Sequence, residues 1–256
     1  MQSKQLIIKS VQIGYYVNDI KKGQPELIFL HGWGSNSTLW FKAFTSEFLS
    51  QNNLYCIDLP GFGISETPDY DLDVSNYGEF VQEFIQKLNL SEVILIGHSL
   101  GGRITIKIAA NDCKNISKIV LVNAAGVYHT SNSTKLITKI SKIVKPLFKA
   151  GFMQGIRRAI YKILKAEDYL NNSKLQKTFI KVIQEDLTQY LSKITLPALI
   201  IWGKDDDNEY TPVSDGAKMH QLITNSQFVI IEGAKHYSFL DKPEEFLKAL
   251  INFTNT

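Results

Sequence analysis

The 256-residue sequence is poor in cysteine and has neither long apolar runs nor biased tracts. Two cysteines, Cys56 and Cys113, do not make a disulfide framework in a chain of this length, and we expect both to be buried small hydrophobic residues. The longest apolar runs have four or five residues, for instance 93–96, whereas a membrane-spanning helix needs about 18. These absences exclude disulfide-stapled and membrane-spanning proteins.

The remaining composition is typical of a globular protein, with 44% hydrophobic and 21% charged residues. The length fits one large domain, or one domain with an insertion. The first ten residues contain Lys4 and Lys9 and lack the apolar stretch of a secretory signal, so we expect a cytoplasmic protein. A net charge of only +3, without interleaved basic and aromatic residues, gives no support for a nucleic-acid partner.

Apolar stretches alternate with amphipathic segments of helical length, a pattern that predicts an α/β fold around a mostly parallel sheet. The first two strands follow each other without a helix, which indicates an antiparallel edge. Asp241 and Glu244 have capping-box spacing, so Asp241 is expected to cap the last helix. The predicted strands are 6–10, 12–17, 26–30, 54–58, 92–96, 118–122, 198–202 and 227–231, and the predicted helices are 38–50, 75–88, 100–110, 214–222 and 243–253.

Residues 126–195 lack strand patterns and are predicted to be consecutive helices, interrupted at Pro146 and at 151–155. We therefore expect a core formed by 1–125 and 196–256 with a helical insertion between them. The insertion is basic, with 13 Lys/Arg against 4 Asp/Glu, and the core is acidic, with 15 against 21. Residues 135–144 form an amphipathic, lysine-rich stretch. A solvated lysine face over a packed apolar face is the simpler interpretation, and contact with a membrane surface or an anionic ligand is the alternative.

The five residues Gly97-His98-Ser99-Leu100-Gly101 lie between a predicted strand and a predicted helix and fit the nucleophile-elbow pattern G-x-S-x-G. Glycine is needed on both sides because a side chain would collide in so sharp a turn, which presents the serine hydroxyl above the sheet. The spacing of Gly97 and Gly102 also resembles a phosphate loop. That interpretation fails because Arg103-Ile104 replaces the Lys-Ser/Thr pair that contacts phosphate and magnesium.

A serine hydroxyl needs a neighbouring base, and the sequence offers five histidines. His98 adjoins the serine but its side chain diverges from it, His129 opens the insertion, and His220 lies within a predicted helix. His31 follows a strand directly and is better explained as a loop-shaping residue. His236 lies just after the last predicted strand, where a loop can bring it over the sheet edge, so it is the candidate base. Its alternative role is that of a packing histidine.

The base in turn needs a carboxylate. Asp205, Asp206 and Asp207 follow the strand 198–202 and are all candidates, although such an acidic loop could equally be a solvated turn or a weak cation site. The chain order Ser, Asp, His is the one expected for a nucleophile elbow in mid-chain.

Oxyanion stabilisation requires amide donors that are already in place. The Leu100 N–H, directly after the serine and at a helix start, is one candidate. The second is the Trp33 N–H, from the glycine-rich loop 31–34. The Trp33 indole either lines the pocket or only packs.

Together these motifs resemble the α/β-hydrolase superfamily over about residues 26–253, with the helical cap of that family falling on the basic insertion. The matching segments are 31–34 (HGWG), 58–63 (DLPGFG) with Ser65, 97–102 (GHSLGG), Trp202-Gly203 followed by Asp, and 233–236 (GAKH).

The resemblance implies a triad of Ser99 as nucleophile, His236 as base and Asp206 as acid. Relatives usually have a proline about four residues after the acid, whereas Pro212 lies six residues after Asp206, so Asp207 is the runner-up. Some relatives take the acid from the end of the sixth strand, but residues 123–125 (NAA) contain no carboxylate.

The resemblance thus implies a serine hydrolase acting on a small or medium acyl compound, foremost a carboxylic ester, without metal or organic cofactor. Within enzymes, the alternatives are hydrolysis of a carbon–carbon bond beside a carbonyl and acyl transfer to another acceptor. A ligand receptor or signalling protein with vestigial turnover is the alternative from another class.

Overall fold

The computed structural model describes residues 1–18, 25–111, 114–127, 175–206, 208 and 211–255. Several predictions lie outside the described residues: the helix interruptions at Pro146 and 151–155, the basic stretch 135–144, and the positions of Cys113 and His129. The described end of the insertion, 175–195, is helical where it has regular structure. The division into a core and an inserted cap stays a prediction.

The sheet has eight strands among the described residues, in the order β1-β2-β4-β3-β5-β6-β7-β8. β1 and β2 form an antiparallel hairpin that pairs antiparallel with β4, and all other pairings are parallel. The predicted α/β fold with an antiparallel edge is confirmed. The strands are β1 Gln2–Ile8, β2 Val11–Asn18, β3 Glu26–Leu30, β4 Asn53–Ile57, β5 Val93–His98, β6 Ile116–Val122, β7 Ala198–Gly203 and β8 Ser226–Ile231.

Helices cover both faces of this sheet, which is why the central strands are apolar throughout. In β3, Ile28 and Leu30 pack into one apolar cluster and Leu27 and Phe29 into the other. Within the described chain, no helix has the length and apolar character needed to cross a membrane. The helices are a 3₁₀ helix Ser37–Lys42, α1 Ser46–Gln51, α2 Val74–Lys87, α3 Leu100–Ala109, α4 Gln176–Gln184, α5 Thr188–Leu191, α6 Val213–Leu222, α7 Ser238–Asp241 and α8 Pro243–Thr254.

The structure corrects two predictions at helix ends. The single helix predicted for 38–50 is wrong: the 3₁₀ helix ends at Lys42, and α1 starts afresh because the Thr45 hydroxyl accepts a hydrogen bond from the Phe48 amide. Asp241 does not cap the last helix. It ends α7, and its carboxylate instead accepts a hydrogen bond of 2.7 Å from the Lys235 amide.

The first hairpin also differs from the prediction at its turn. The strand predicted for 6–10 ends at Ile8, because Lys9 and Ser10 both adopt positive φ angles, 48° and 63°. Two such residues in succession form the tight turn whose twist matches a β-hairpin. Apolar alternation alone did not reveal it.

The strand order reverses around β3. The chain passes from β3 to β4 on one side and then to β5 on the other. Such a reversal opens a crevice at the carboxyl ends of the two diverging strands, where ligands bind in open α/β sheets. Here the crevice lies between the loop that follows β3 and the start of α3.

Candidate active site

Ser99 occupies a strained bend between β5 and α3, with φ 51° and ψ −105°. The backbone crosses there at close range. A Cβ on Gly97 would lie 2.3 Å from the Gly101 carbonyl oxygen, and a Cβ on Gly101 would lie 2.3 Å from the Leu30 carbonyl oxygen. Side chains are therefore excluded on both sides of the bend. Strained backbone of this kind persists only where the surrounding structure imposes it, and it is concentrated at functional sites.

Asp206 and His236 come together from the loops that follow β7 and β8. The His236 Nδ1 lies 3.0 Å from Asp206 Oδ2, and Asp206 Oδ1 accepts a hydrogen bond of 3.1 Å from the Asn208 amide. The Asp206 side chain is fully buried, whereas that of His236 is 18% exposed. This is the arrangement in which a carboxylate orients an imidazole. Asp207, the runner-up acid, lies outside the described residues.

His98 brings the His236 loop to the bend. Its Nε2 donates a hydrogen bond of 2.9 Å to the His236 carbonyl oxygen, and the two imidazole centroids lie 4.8 Å apart. Within the described part of the chain, Ser99 Oγ and His236 Nε2 share no hydrogen bond. Proton transfer between them requires a closer approach in the substrate complex, where catalytic hydrogen bonds tighten.

Both buried histidines near the bend are neutral and act as structural ties. Burial, reinforced by the neighbouring His236 imidazole, holds the pKa of His98 well below its ordinary value. Burial also lowers the pKa of His31. The His31 Nδ1 donates to the Gly32 carbonyl at 2.7 Å, and its Nε2 accepts from the Leu59 amide at 3.0 Å. These contacts match the loop-shaping role predicted for His31.

The two candidate oxyanion donors flank Ser99. Leu100 is the first residue of α3, and Trp33 follows Gly32, whose added Cβ would lie 3.3 Å from the Ser99 Cβ. Neither the Trp33 nor the Leu100 amide donates to another group among the residues that the structure describes. Both amides therefore remain available to an oxygen atom bound beside the serine.

Aromatic side chains border the site next to Trp33. The Trp33 ring is half-buried and packs edge-on against Phe62, with centroids 5.0 Å apart, and tilted against Phe179 of α4 at 4.9 Å. Leu175 lies close to Gly61, the residue before Phe62, since it approaches within 3.0 Å of a Cβ placed on Gly61. The indole thus packs, and it carries an apolar surface next to a candidate oxyanion donor.

Three polar residues of this site were not found from the sequence. Asn123, Thr211 and Ser238 are fully buried and contact the Asp206–His236 pair or its neighbours. The sequence marks Asn123 only as a position without a carboxylate at the end of the sixth strand. No local motif marks Thr211 or Ser238, because their partners come from distant segments.

A serine on a glycine-bounded bend, with a histidine–aspartate pair at the same carboxyl edge of a mostly parallel sheet, defines a protein of the α/β-hydrolase class. A family model agrees: the one described as Alpha/beta hydrolase family matches residues 27–249. The chain belongs to this family.

The proteins to which the chain is similar include a lipase, a hydrolase and an esterase. The chain is 25% identical to the human "Monoacylglycerol lipase ABHD6", covering 99% of this chain and 82% of the relative. It is 26% identical to "Uncharacterized hydrolase YugF" of Bacillus subtilis, covering 93% of each. Among solved structures, an esterase from Exiguobacterium antarcticum matches over all of both chains with a TM-score of 0.76 at 24% identity, which shows the shared fold.

Proposed function

We propose that the protein is a serine hydrolase that cleaves carboxylic esters through an acyl-enzyme on Ser99. The observation that carries the proposal is the hydrogen bond from His98 to the His236 carbonyl, because it joins the residue before the serine to the loop of the candidate base. The base is itself hydrogen-bonded to the buried Asp206. Nucleophile, base and acid are thereby linked through neighbouring groups.

In the proposed reaction, Ser99 Oγ attacks the ester carbonyl carbon while His236 Nε2 takes the hydroxyl proton. Asp206 accepts from Nδ1 and stabilises the imidazolium. The carbonyl oxygen becomes an oxyanion that accepts hydrogen bonds from the Trp33 and Leu100 amides. Collapse of the tetrahedral intermediate breaks the ester C–O bond, and the alcohol leaves with the proton from His236. Water then attacks the acyl-enzyme by the same route, releasing the carboxylic acid.

The proposed substrates carry an apolar acyl group of small or medium size. The half-buried Trp33 ring, with Phe62 and Phe179 against it, provides an apolar surface beside the proposed oxyanion donor. An acyl chain laid on that surface gains about 0.8 kcal/mol for each methylene removed from water. The esterase and lipase names among the relatives support the same substrate class.

A chromogenic short-chain ester tests the proposal. Ser99→Ala should lower turnover by about a thousandfold or more, since it removes the nucleophile. Ser50→Ala is the matched control, because Ser50 is exposed on α1 and its hydroxyl donates to the Glu47 carbonyl of the same helix. Equal rates for wild type and Ser99→Ala would overturn the proposal.

A further inference from the structure

The turn after β6 contacts the bend at Ser99, the Asp206 carboxylate and the loop that carries His236. The Ser99 amide donates to the Val122 carbonyl at 3.2 Å, and the Ala125 amide donates to the Ser99 carbonyl at 3.2 Å. Residues 122–125 therefore hold the backbone of the strained bend from both sides. Asn123 lies between these two contacts, and its amide donates to the Ile201 carbonyl of β7 at 2.9 Å.

Asn123 has an uncommon backbone conformation, and both polar atoms of its side chain are hydrogen-bonded. Its φ is 41°, in the left-handed region that asparagine tolerates better than most residues, and it is fully buried. The Nδ2 donates to Asp206 Oδ2 at 2.8 Å and lies 3.4 Å from the Lys235 carbonyl oxygen. The Oδ1 accepts from the Ser238 hydroxyl at 2.7 Å.

These partners fix the orientation of the side-chain amide. If it were reversed, Asn123 Oδ1 would face the Asp206 carboxylate and the Lys235 carbonyl, and three acceptors would meet without a proton between them. The Ser238 hydroxyl, two residues beyond His236, completes the arrangement from the loop of the candidate base. A neutral amide thus donates one proton to the carboxylate, without the competing charge that an arginine or lysine would bring.

Asp206 Oδ2 is the atom on which these contacts converge. It accepts from Asn123 Nδ2 and pairs with His236 Nδ1 at 3.0 Å, while the Thr211 hydroxyl lies at 3.4 Å. Thr211 Oγ1 also lies 3.1 Å from His236 Nδ1 and so offers the imidazole a second partner. A carboxylate that rotated away would leave the histidine bonded to the threonine alone, where the tautomer is no longer fixed by a negative charge.

We propose that Asn123 is a positioning residue of the proposed acyl transfer: its amide, set by Ser238, holds the Asp206 carboxylate in the orientation that accepts the hydrogen bond from His236 Nδ1. The inference rests on the proposed function and adds a residue outside the predicted triad. Asn123 touches no reacting atom and acts through Asp206.

Two substitutions of Asn123 separate positioning from simple packing. Asn123→Gly keeps the left-handed backbone and removes the donor, and should lower kcat 10- to 100-fold, in the range expected for a displacement of about 1 Å at a catalytic group, with KM changed less than threefold. Asn89→Gly is the matched control, because Asn89 also has a positive φ, 52°, and is exposed at the end of α2. It should retain the wild-type kcat.

Asn123→Asp replaces the side chain by one of almost the same shape. It supplies a second readout that is not affected by the cavity that Asn123→Gly leaves. Two facing carboxylates share one proton until the pH exceeds their upper apparent pKa. While the proton is present, the pair has a donor and one negative charge, as in the wild type. We therefore expect its kcat relative to wild type to be highest near pH 5 and to fall at least tenfold by pH 9.

Wild-type kcat in Asn123→Gly, or a pH-independent ratio for Asn123→Asp, would overturn the inference. Unfolding midpoints measured in urea identify variants that have simply lost the fold, and Asn123→Asp still tests the inference if Asn123→Gly does not fold. A Ser99→Ala variant as active as wild type would refute the proposed function instead. If only the predictions for the Asn123 variants prove wrong, the proposed function is unaffected.

Discussion

Gly101 offers a sharp test of the candidate site, because the space it occupies is closed by backbone. A methyl group on Gly101 would lie 2.3 Å from the Leu30 carbonyl oxygen and 2.8 Å from the Leu30 Cβ. Ordinary contacts between carbon and oxygen are about 3.3–3.6 Å, so the first turn of α3 would have to move about 1 Å away from β3. That turn carries Ser99 and the Leu100 amide.

Two losses follow for Gly101→Ala. Overpacking of a buried contact lowers the free energy of unfolding by about 1–3 kcal/mol. A displacement of about 1 Å between the nucleophile, its oxyanion donor and the base lowers kcat/KM by about 10²-fold. We expect both effects in one variant, because the displaced turn is shared by the fold and the site.

Gly78→Ala is the matched control for this substitution. Gly78 lies within α2, where an added Cβ would meet the buried Ile108 side chain at 3.3 Å and no backbone atom of another element. Alanine is favoured over glycine in a helix by roughly 0.5–1 kcal/mol, so stability should be preserved or slightly raised and activity unchanged. Urea unfolding and initial rates with a chromogenic ester measure both quantities. Wild-type stability and rate in Gly101→Ala would refute the steric reasoning.

Three further changes test separate parts of the site. Asp206→Asn should lower kcat by about 10³–10⁴-fold through loss of the charge facing His236, and a larger loss in Asp207→Asn would transfer the role of acid to Asp207. The pKa of His98 is lower in the folded protein than its unfolded value of about 6.5, so its contribution to stability is complete above that pH. Below about pH 6.5, this contribution to the free energy of unfolding falls by up to about 1.4 kcal/mol per pH unit. Urea unfolding at pH 7.5, 6 and 5 should therefore show a shallower decline in His98→Gln, and an unchanged slope would contradict the assignment. Phe179→Ala should lower kcat/KM for a hexanoate ester more than for an acetate ester, roughly fourfold for each methylene that loses contact, and equal losses would remove the proposed acyl surface.

The sequence predicted those features that are formed by residues close together in the chain. The bend at Ser99 was predictable because its glycines, the preceding strand and the following helix are contiguous in the chain. Asp206 and His236 each follow a predicted strand, and the structure shows that these strands, β7 and β8, are parallel neighbours whose carboxyl ends meet at one edge of the sheet.

Contacts between distant segments left no such pattern. Ser238 reaches Asn123 across 115 positions of the chain, and neither residue lies in a motif of its own. Asp241 shows that a local pattern can also be overridden by another contact within the same loop. Its spacing to Glu244 favours a capping box, but its carboxylate is engaged by the Lys235 amide, which anchors the loop that carries His236.

Sheet register is what brings these distant residues together. His98 pairs with Val122 and Val122 with Ile201, so β5 and β6 end level with each other. Gly203 pairs with Ile231, so β7 and β8 end together two residues further on. A slip of one residue would move a strand end by about 3.3 Å and turn its side chains to the opposite face. A displacement of that size would break the hydrogen bond of 2.8 Å from Asn123 Nδ2 to Asp206 Oδ2. The side-chain packing that fixes β6 between β5 and β7 therefore also fixes the geometry of the candidate site, and core substitutions there should reduce activity and stability together.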